Sequence, residues 1–447
     1  MLKLTVNWSD FMGNDRYDVI IVGAGPAGSS AAQLCAENNL SVALIEKGEF
    51  PGSKNMFGGA IYSETTATIV PTFWEEAPLE RPITEEKIWF MEPNSVVEVG
   101  FTGYDFAKSP YNSFTVIRSR FDRWFADKAV QKGAHLLTST LVENLVYEKL
   151  GLTGKKVSGV RLEDGSEIYS EVVILAEGGW ANLAEKAGLR DNINSKMLTI
   201  YIKELLALPQ GVIEARFNLE KNEGCSIGMV SYPTAGAIGK GGIWTNRDTI
   251  SLAVGGFLDQ FNQKGLNIYQ LLYRLKGHPK VKRLIEGAET VQYMYHQIPR
   301  GSYDNIPRLY DDGILVTGDA ANLISGRHGT EIAMLSGMYA AETVIHAKAK
   351  GDFSKKTLAA YGNKLENTFF VDNMKVRKKS KIFYQKHTDS DFLISQLANE
   401  VAKVFFTEGF RTEQENINNM LKEVENIQPL SKTLSDLYQA VWHWRVL

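Results

Sequence analysis

The chain has 447 residues, 49 Lys and Arg against 52 Asp and Glu, a net charge of −3 and 44% hydrophobic residues. That is an ordinary globular composition, without the basic excess of a general polyanion-binding surface, so no nucleic-acid partner is expected. Its two cysteines, Cys35 and Cys225, are too few and too far apart for a four-thiolate iron–sulfur or zinc site, so no metal is expected in this chain.

The opening MLKLTVNWSDFMGNDRYDVI lacks the charged start and unbroken apolar core of a signal peptide. No uncharged apolar stretch approaches the roughly 20 residues that span a bilayer. The expected location is cytoplasmic, or on a membrane surface without crossing it. Residues 17–46, YDVIIVGAGPAGSSAAQLCAENNLSVALIE, predict strand, glycine turn, helix and strand. Gly23 permits the tight turn, Gly25 lets a pyrophosphate approach the backbone, and Gly28 allows the helix to pack closely on the strand. The helix start offers free N–H groups to phosphate. Glu46, ending the second strand, is placed to accept from ribose hydroxyls and would repel a 2′-phosphate. This grammar specifies a dinucleotide without separating NAD from FAD.

Residues 47–60, KGEFPGSKNMFGGA, form an irregular glycine-rich loop suited to a flat ring, with Gly58 and Gly59 as its closest points. Strand-like alternation follows over 82–112. In TVIRSRFDRWFADKA, 115–129, Phe121, Trp124 and Phe125 give a helix with one buried face, and Arg118 stands just ahead of it, where a cation meets a phosphate. EVVILAEGG, 171–179, is another buried strand ending in an acid–glycine pair. Over 197–300 the chain again alternates, with MLTIYIKELLAL as a strand and a hairpin around Asn246–Asp248. TAGAIGKGG, 234–242, reads as a flexible surface loop, either plain or turned to a substrate or partner.

ILVTGDAANLISGRHGTEIAM, 314–334, then places one acid, Asp319, at the end of a buried strand. A nicotinamide dehydrogenase has no obvious need of it. An FAD protein does: the strand would return to the first sheet and set Asp319 at the ribityl–phosphate region. A helix starting around Gly329 would aim its N-terminus at the flavin N1–C2=O edge. His328 there either tunes the ring, delivers a proton or is structural. No second strand–turn–helix phosphate loop appears, so no resident NAD(P)H site is expected. Beyond 351 the chain reads as helices. NMKVRKKSKIFYQK, 373–386, is either a membrane- or partner-facing basic stretch or a solvated face, and LYQAVWHWRVL closes the chain as a core or docking helix.

The set GAGPAG, VIRSRFDRWF, VILAEGG and GDAA resembles the FAD-dependent group related to p-hydroxybenzoate hydroxylase and geranylgeranyl reductase. More narrowly, EFPGSKNMFGGAIY, APLERPI, EARFNLEKNEG, IPRLYDDGILVTGDAA and GTEIAMLSGMYAAE resemble electron-transfer-flavoprotein:quinone oxidoreductases. The likeness is strongest to their short bacterial FixC-type form, and it runs from about 17 to 390. Glu177 departs from the Asp of many relatives, and the proline after GDAA is missing around Ser325–Arg327.

The resemblance implies an α/β fold. A discontinuous Rossmann-like FAD-binding domain of the glutathione-reductase-2 type would span 1–81, 113–196 and 301–350. An antiparallel-sheet quinone or substrate domain would span 82–112 and 197–300, and a helical region 351–447. It implies FAD contacts at Pro26, Ala27, Lys47, Lys54, Val142, Ala176, Glu177, Gly178, Gly318, Asp319, Gly329, Glu331 and Ile332, with Thr330 and His328 tuning the flavin. It further implies the electron-transfer flavoprotein α and β subunits, a separate ferredoxin-like 4Fe-4S subunit and a membrane quinone as partners. The assembly would sit on the inner face of the membrane, oxidise NADH and also reduce ferredoxin or flavodoxin. A stand-alone isoprenoid reductase and a non-catalytic assembly subunit with structural FAD are the rival readings.

Overall fold

The computed structural model describes residues 16–54, 59–152, 154–324, 328–386 and 390–443, with side chains other than 379–392, 437 and 439–443. The expectations placed on Gly58, on Ser325–Arg327, on the side chains of 379–386 in the 373–386 stretch and on those of LYQAVWHWRVL other than Tyr438 lie outside what is described.

The first sheet follows from continuous apolar runs. Val19, Ile20, Ile21, Ala43 and Leu44 are fully buried, as strands covered on both faces must be. Its order is Tyr310–Asp311, Ile314–Val316, Glu167–Leu175, Tyr17–Val22, Val42–Ile45, His135–Leu137. Ile314–Val316 pairs parallel with Val173–Leu175, so the distant strand does return to the first sheet and brings Asp319 beside the glycine loop. Helix Pro26–Glu37 packs against the sheet, and the long helix Thr330–Lys350 crosses it.

The second sheet runs Glu289–Pro299, Leu198–Ala207, Thr249–Phe257, Gly239–Thr245, Gly224–Ser231, Leu79–Glu92, Ser113–Val116, Ala60–Tyr62, with Ser95–Thr102 paired to Leu79–Glu92. It is mostly antiparallel, and the hairpin turning at 246–248 is present. Two findings differ from the sequence reading. Gly224–Ser231 pairs parallel with Leu79–Glu92, because the chain reaches it by a crossover rather than a turn. Ala60–Tyr62 and Ser113–Val116, which the sequence reading placed in the nucleotide-binding segments, hydrogen-bond into this second sheet. Their side chains explain it. Ile61, Phe114 and Val116 bury together with Phe73, Leu79, Phe121, Phe125 and Met334, a cluster joining the sheet edge to helix Arg118–Gln131 and to the long helix.

The expected flexible loop at 234–242 is also corrected. Gly239–Thr245 is a strand, and Thr234 and Ala237 are buried. Its glycines serve close backbone approach: a Cβ on Gly239 would lie 2.2 Å from the Gly255 carbonyl oxygen. Beyond 351 the helices Lys355–Glu366, Phe369–Lys386, Ser390–Phe406, Glu413–Ile427 and Leu430–His443 follow. Among the described residues, no helix is long and apolar enough to cross a membrane.

Candidate functional site

The two sheets face each other across a cavity of about 2150 Å³, and its walls can be built from the chain upward. Strand Tyr17–Val22 ends at Gly23, whose φ of +102° disfavours any side chain and where a Cβ would lie 2.3 Å from the Ala176 carbonyl oxygen. At Gly25 a Cβ would meet nothing within 4 Å, so the backbone lies open to the cavity where helix Pro26–Glu37 begins. Gly28 lies behind the wall. A Cβ on it would sit 1.8 Å from the Gly23 carbonyl oxygen, so its task is helix–strand contact.

Glu46 lines the cavity, and its carboxylate also holds the loop, accepting from Ala24 N–H at 3.0 Å and Gly48 N–H at 2.7 Å. One bond on each oxygen leaves lone pairs for a ribose hydroxyl. Pro26, Ala27, Lys47, Lys54, Gly59 and Val142 share this lining.

At the far end Arg118 is the first residue of its helix rather than ahead of it. Its Nε and Nη2 donate to Asp122 at 2.7 and 2.8 Å, and its Nη1 donates to Thr330 Oγ1 at 3.1 Å. The pairing keeps a buried guanidinium affordable and ties the Arg118 helix to the start of the long helix. Thr330, Gly329 and His328 all line the cavity there, and the His328 ring tilts against Tyr62 at 4.6 Å. Glu331 is buried, accepts from Tyr62 N–H at 3.2 Å, and is pushed by burial to about 7. Asp319, half-buried in the cavity wall, is pushed by burial to about 6 against the opposing pull of Arg118 and Arg190. Arg190 clamps the turn carrying it, donating to Ala320 O and Asn322 Oδ1.

Three expected contacts are placed differently. Gly318, φ +65°, turns the chain behind the wall, and Ile332 is fully buried in the core. Glu177 lines the cavity beside Ala176 and Gly178, but its carboxylate accepts from Leu183 and Ala184 N–H, capping helix Asn182–Lys186. The sequence reading expected the second sheet to face the flavin but named none of its residues: Tyr201, Lys203, Trp244 and His296 also line the cavity. One signal was available, since Lys203 interrupts the apolar alternation of MLTIYIKELLAL.

These residues fit FAD. The open Gly25 backbone at a helix start suits a pyrophosphate, and Asp319 lines the same cavity as that point and the Thr330 helix start. The volume exceeds the roughly 300–1,000 Å³ of common small-molecule sites, as an extended dinucleotide with a reaction partner requires. Bound there, FAD supplies one- and two-electron transfer, while the protein grips and orients it.

The fold and site define an FAD-dependent oxidoreductase, and the family model for FAD dependent oxidoreductases matches residues 18–196. The chain belongs to the FixC family. It is 38% identical over 386 residues to Protein FixC of Azorhizobium caulinodans, covering 86% of this chain and 88% of that protein. To Protein FixC of Bradyrhizobium diazoefficiens it is 36% identical over 440 residues, covering 97% and 100%. To that of Escherichia coli K12 it is 37% identical over 403 residues, covering 89% and 92%. The fold is shared with a geranylgeranyl bacteriochlorophyll reductase-like protein of Thermoplasma acidophilum, at TM-score 0.67 and 18% identity over 92% of this chain and 99% of that one. It is also shared with the flavin-dependent brominase Bmp2, at TM-score 0.60 and 20% identity over 91% and 93%.

Proposed function

We propose that this chain is the FAD-carrying relay subunit that accepts electrons from the α and β subunits of an electron-transfer flavoprotein. With a separate ferredoxin-like 4Fe-4S subunit, it passes them to a membrane quinone. The assembly oxidises NADH and couples this to reduction of ferredoxin or flavodoxin. The observation that supports it is the cavity itself: its lining includes Tyr201, Trp244 and Gly242 of the second sheet as well as the residues suited to FAD, and a volume of about 2150 Å³ favours a second flat ring beside the flavin. Cys35 and Cys225 are both buried, in separate core clusters, which suits a chain whose iron–sulfur partner is another protein.

Exposed Phe405, Phe406 and Phe410 at one helix end, with Val99, Phe101 and Tyr104 on another surface segment, support seating on the inner face of the membrane. In the basic stretch 373–386, Met374 is buried in the core and Val376 is exposed, so that helix serves packing along part of its length.

Anaerobic photoreduction of the FAD-loaded protein, followed by mixing with a short-chain quinone, tests the reading. Rapid flavin reoxidation is expected. A flavin that quinone leaves reduced, or one that saturates an isoprenoid double bond with a simple electron donor, overturns it.

A further inference from the structure

The second sheet puts a lysine in the buried wall of the cavity. Lys203 is 2% exposed, on an inner strand of that sheet, across from Ala253 on one side and Met294 on the other. It lines the cavity with its Nζ 5.9 Å from the centre of the Trp244 ring. Trp244 in turn lies against Gly59, where a Cβ would sit 2.7 Å from the indole. Arg118, which carries Thr330, acts on Lys203 as a like charge.

Among the described residues, the charged and titratable groups on this side of the cavity include Arg118, paired with Asp122 on the Arg118 helix, Tyr201 on the lysine's own strand, His296 opposite Tyr201, and Glu86, Lys87 and Lys240 on other strands of the sheet. Lys47, Glu331 and Asp319 line other walls of the cavity or stand behind them. A buried ammonium beside a guanidinium is unfavourable, and charge added nearby with the opposite sign relieves it. Burial and Arg118 hold Lys203 down to about 7, and burial with Arg118 and Lys47 holds His296 down to about 4.

We propose that Lys203 is the redox-linked proton site of this protein, binding a proton when electrons enter FAD and releasing it when they leave. Two electrons, from an electron-transfer flavoprotein or from a photoreductant in vitro, enter with one proton on the cofactor and a second on Lys203. The second forms an N–H bond at the amine and comes from water. When the pair passes to an acceptor, that N–H bond breaks and the proton returns to water, so the cavity gains no net charge in either direction. The inference rests on FAD and holds whichever acceptor oxidises it.

Potentiometric titration of the FAD-loaded protein between pH 6 and 9 reads it out. In the wild type, the midpoint potential should fall more steeply with pH above about 7, by one extra proton per two electrons. K203M should lose that steepening. K203R, charged throughout, should lose it as well and lie at higher potential than K203M. Photoreduction at pH 8 with a pH indicator should show one proton fewer taken up by either variant. A wild-type line that stays straight or flattens above pH 7 overturns the proposal without any variant. So does steepening that survives in K203M, or in K203R if K203M fails to bind FAD. Steepening lost in E331Q but kept in the lysine variants assigns the proton to Glu331 and overturns it too.

Discussion

Gly337→Ala tests how the two ends of the FAD site are held together. Gly337 lies buried in the long helix where it crosses the start of helix Pro26–Glu37. A Cβ there would sit 2.0 Å from the Ala27 carbonyl oxygen and 2.8 Å from its carbon. Carbon atoms prefer about 3.5–4.0 Å, so the helices must separate by at least roughly 0.7 Å. In an unconstrained helix interior this change would stabilise by about 0.5–1 kcal/mol. Forcing an extra carbon between packed backbones costs about 1–3 kcal/mol, so the sum is a net loss of up to about 2.5 kcal/mol. FAD affinity should weaken too, since both helix starts front the cavity and would part.

Gly211→Ala supplies the control. A Cβ at Gly211, in helix Gln210–Phe217, meets nothing within 4 Å, so the substitution should be neutral or stabilise by less than about 1 kcal/mol. Denaturant unfolding of both variants, with FAD titration by fluorescence, gives the comparison. A Gly337→Ala protein as stable as the wild type, with unchanged FAD affinity, refutes the close crossing.

Arg118→Met strands the Asp122 carboxylate in the core and should lower stability by about 3–5 kcal/mol, with Arg118→Met/Asp122→Asn recovering part of the loss in the same unfolding assay. Thr330→Ala removes the acceptor of Arg118 Nη1 at the helix start, and a redox titration should find the flavin potential shifted; an unchanged potential discards Thr330 as a tuning residue. Glu331 makes stability depend on pH in the cofactor-free chain. Its folded value of about 7 exceeds the ordinary 4.5, so the folded state holds a proton that the unfolded chain releases. That contribution is full below about 4.5 and is lost as pH rises to about 7. Glu331→Gln should therefore flatten stability against pH in that window, and unfolding curves of equal slope in both proteins would contradict the assignment.

Where function depends on backbone chemistry in one short segment, the site was legible along the chain. The Gly23–Gly28 turn, Glu46 at the next strand end and the Gly318-Asp319 return all carry a conformational or charge requirement that neighbouring residues announce. In the structure Gly23, Gly25, Glu46 and Asp319 line the cavity, Gly28 packs the helix on the strand as its spacing suggests, and Gly318 turns the chain behind the wall. Side chains whose partners come from elsewhere were not legible. Glu177 caps a helix six residues on, and Arg118 spends two of its nitrogens on Asp122. The glycines of 234–242 suggested a mobile loop because their real causes, the Gly255 backbone against Gly239, Pro233 and Leu275 against Gly241 and the Trp244 ring against Gly242, are invisible in one dimension.

The amino-acid sequence alone thus determined the glycine turn, the acid ending the second strand and the acid after the distant strand, because period, turn chemistry and helix starts are local properties. Only the tertiary structure decided which residues face them across the cavity. Lys203, Trp244 and His296 lie on three strands whose register sets them on one wall, and register is fixed by pairing between segments the chain itself keeps far apart.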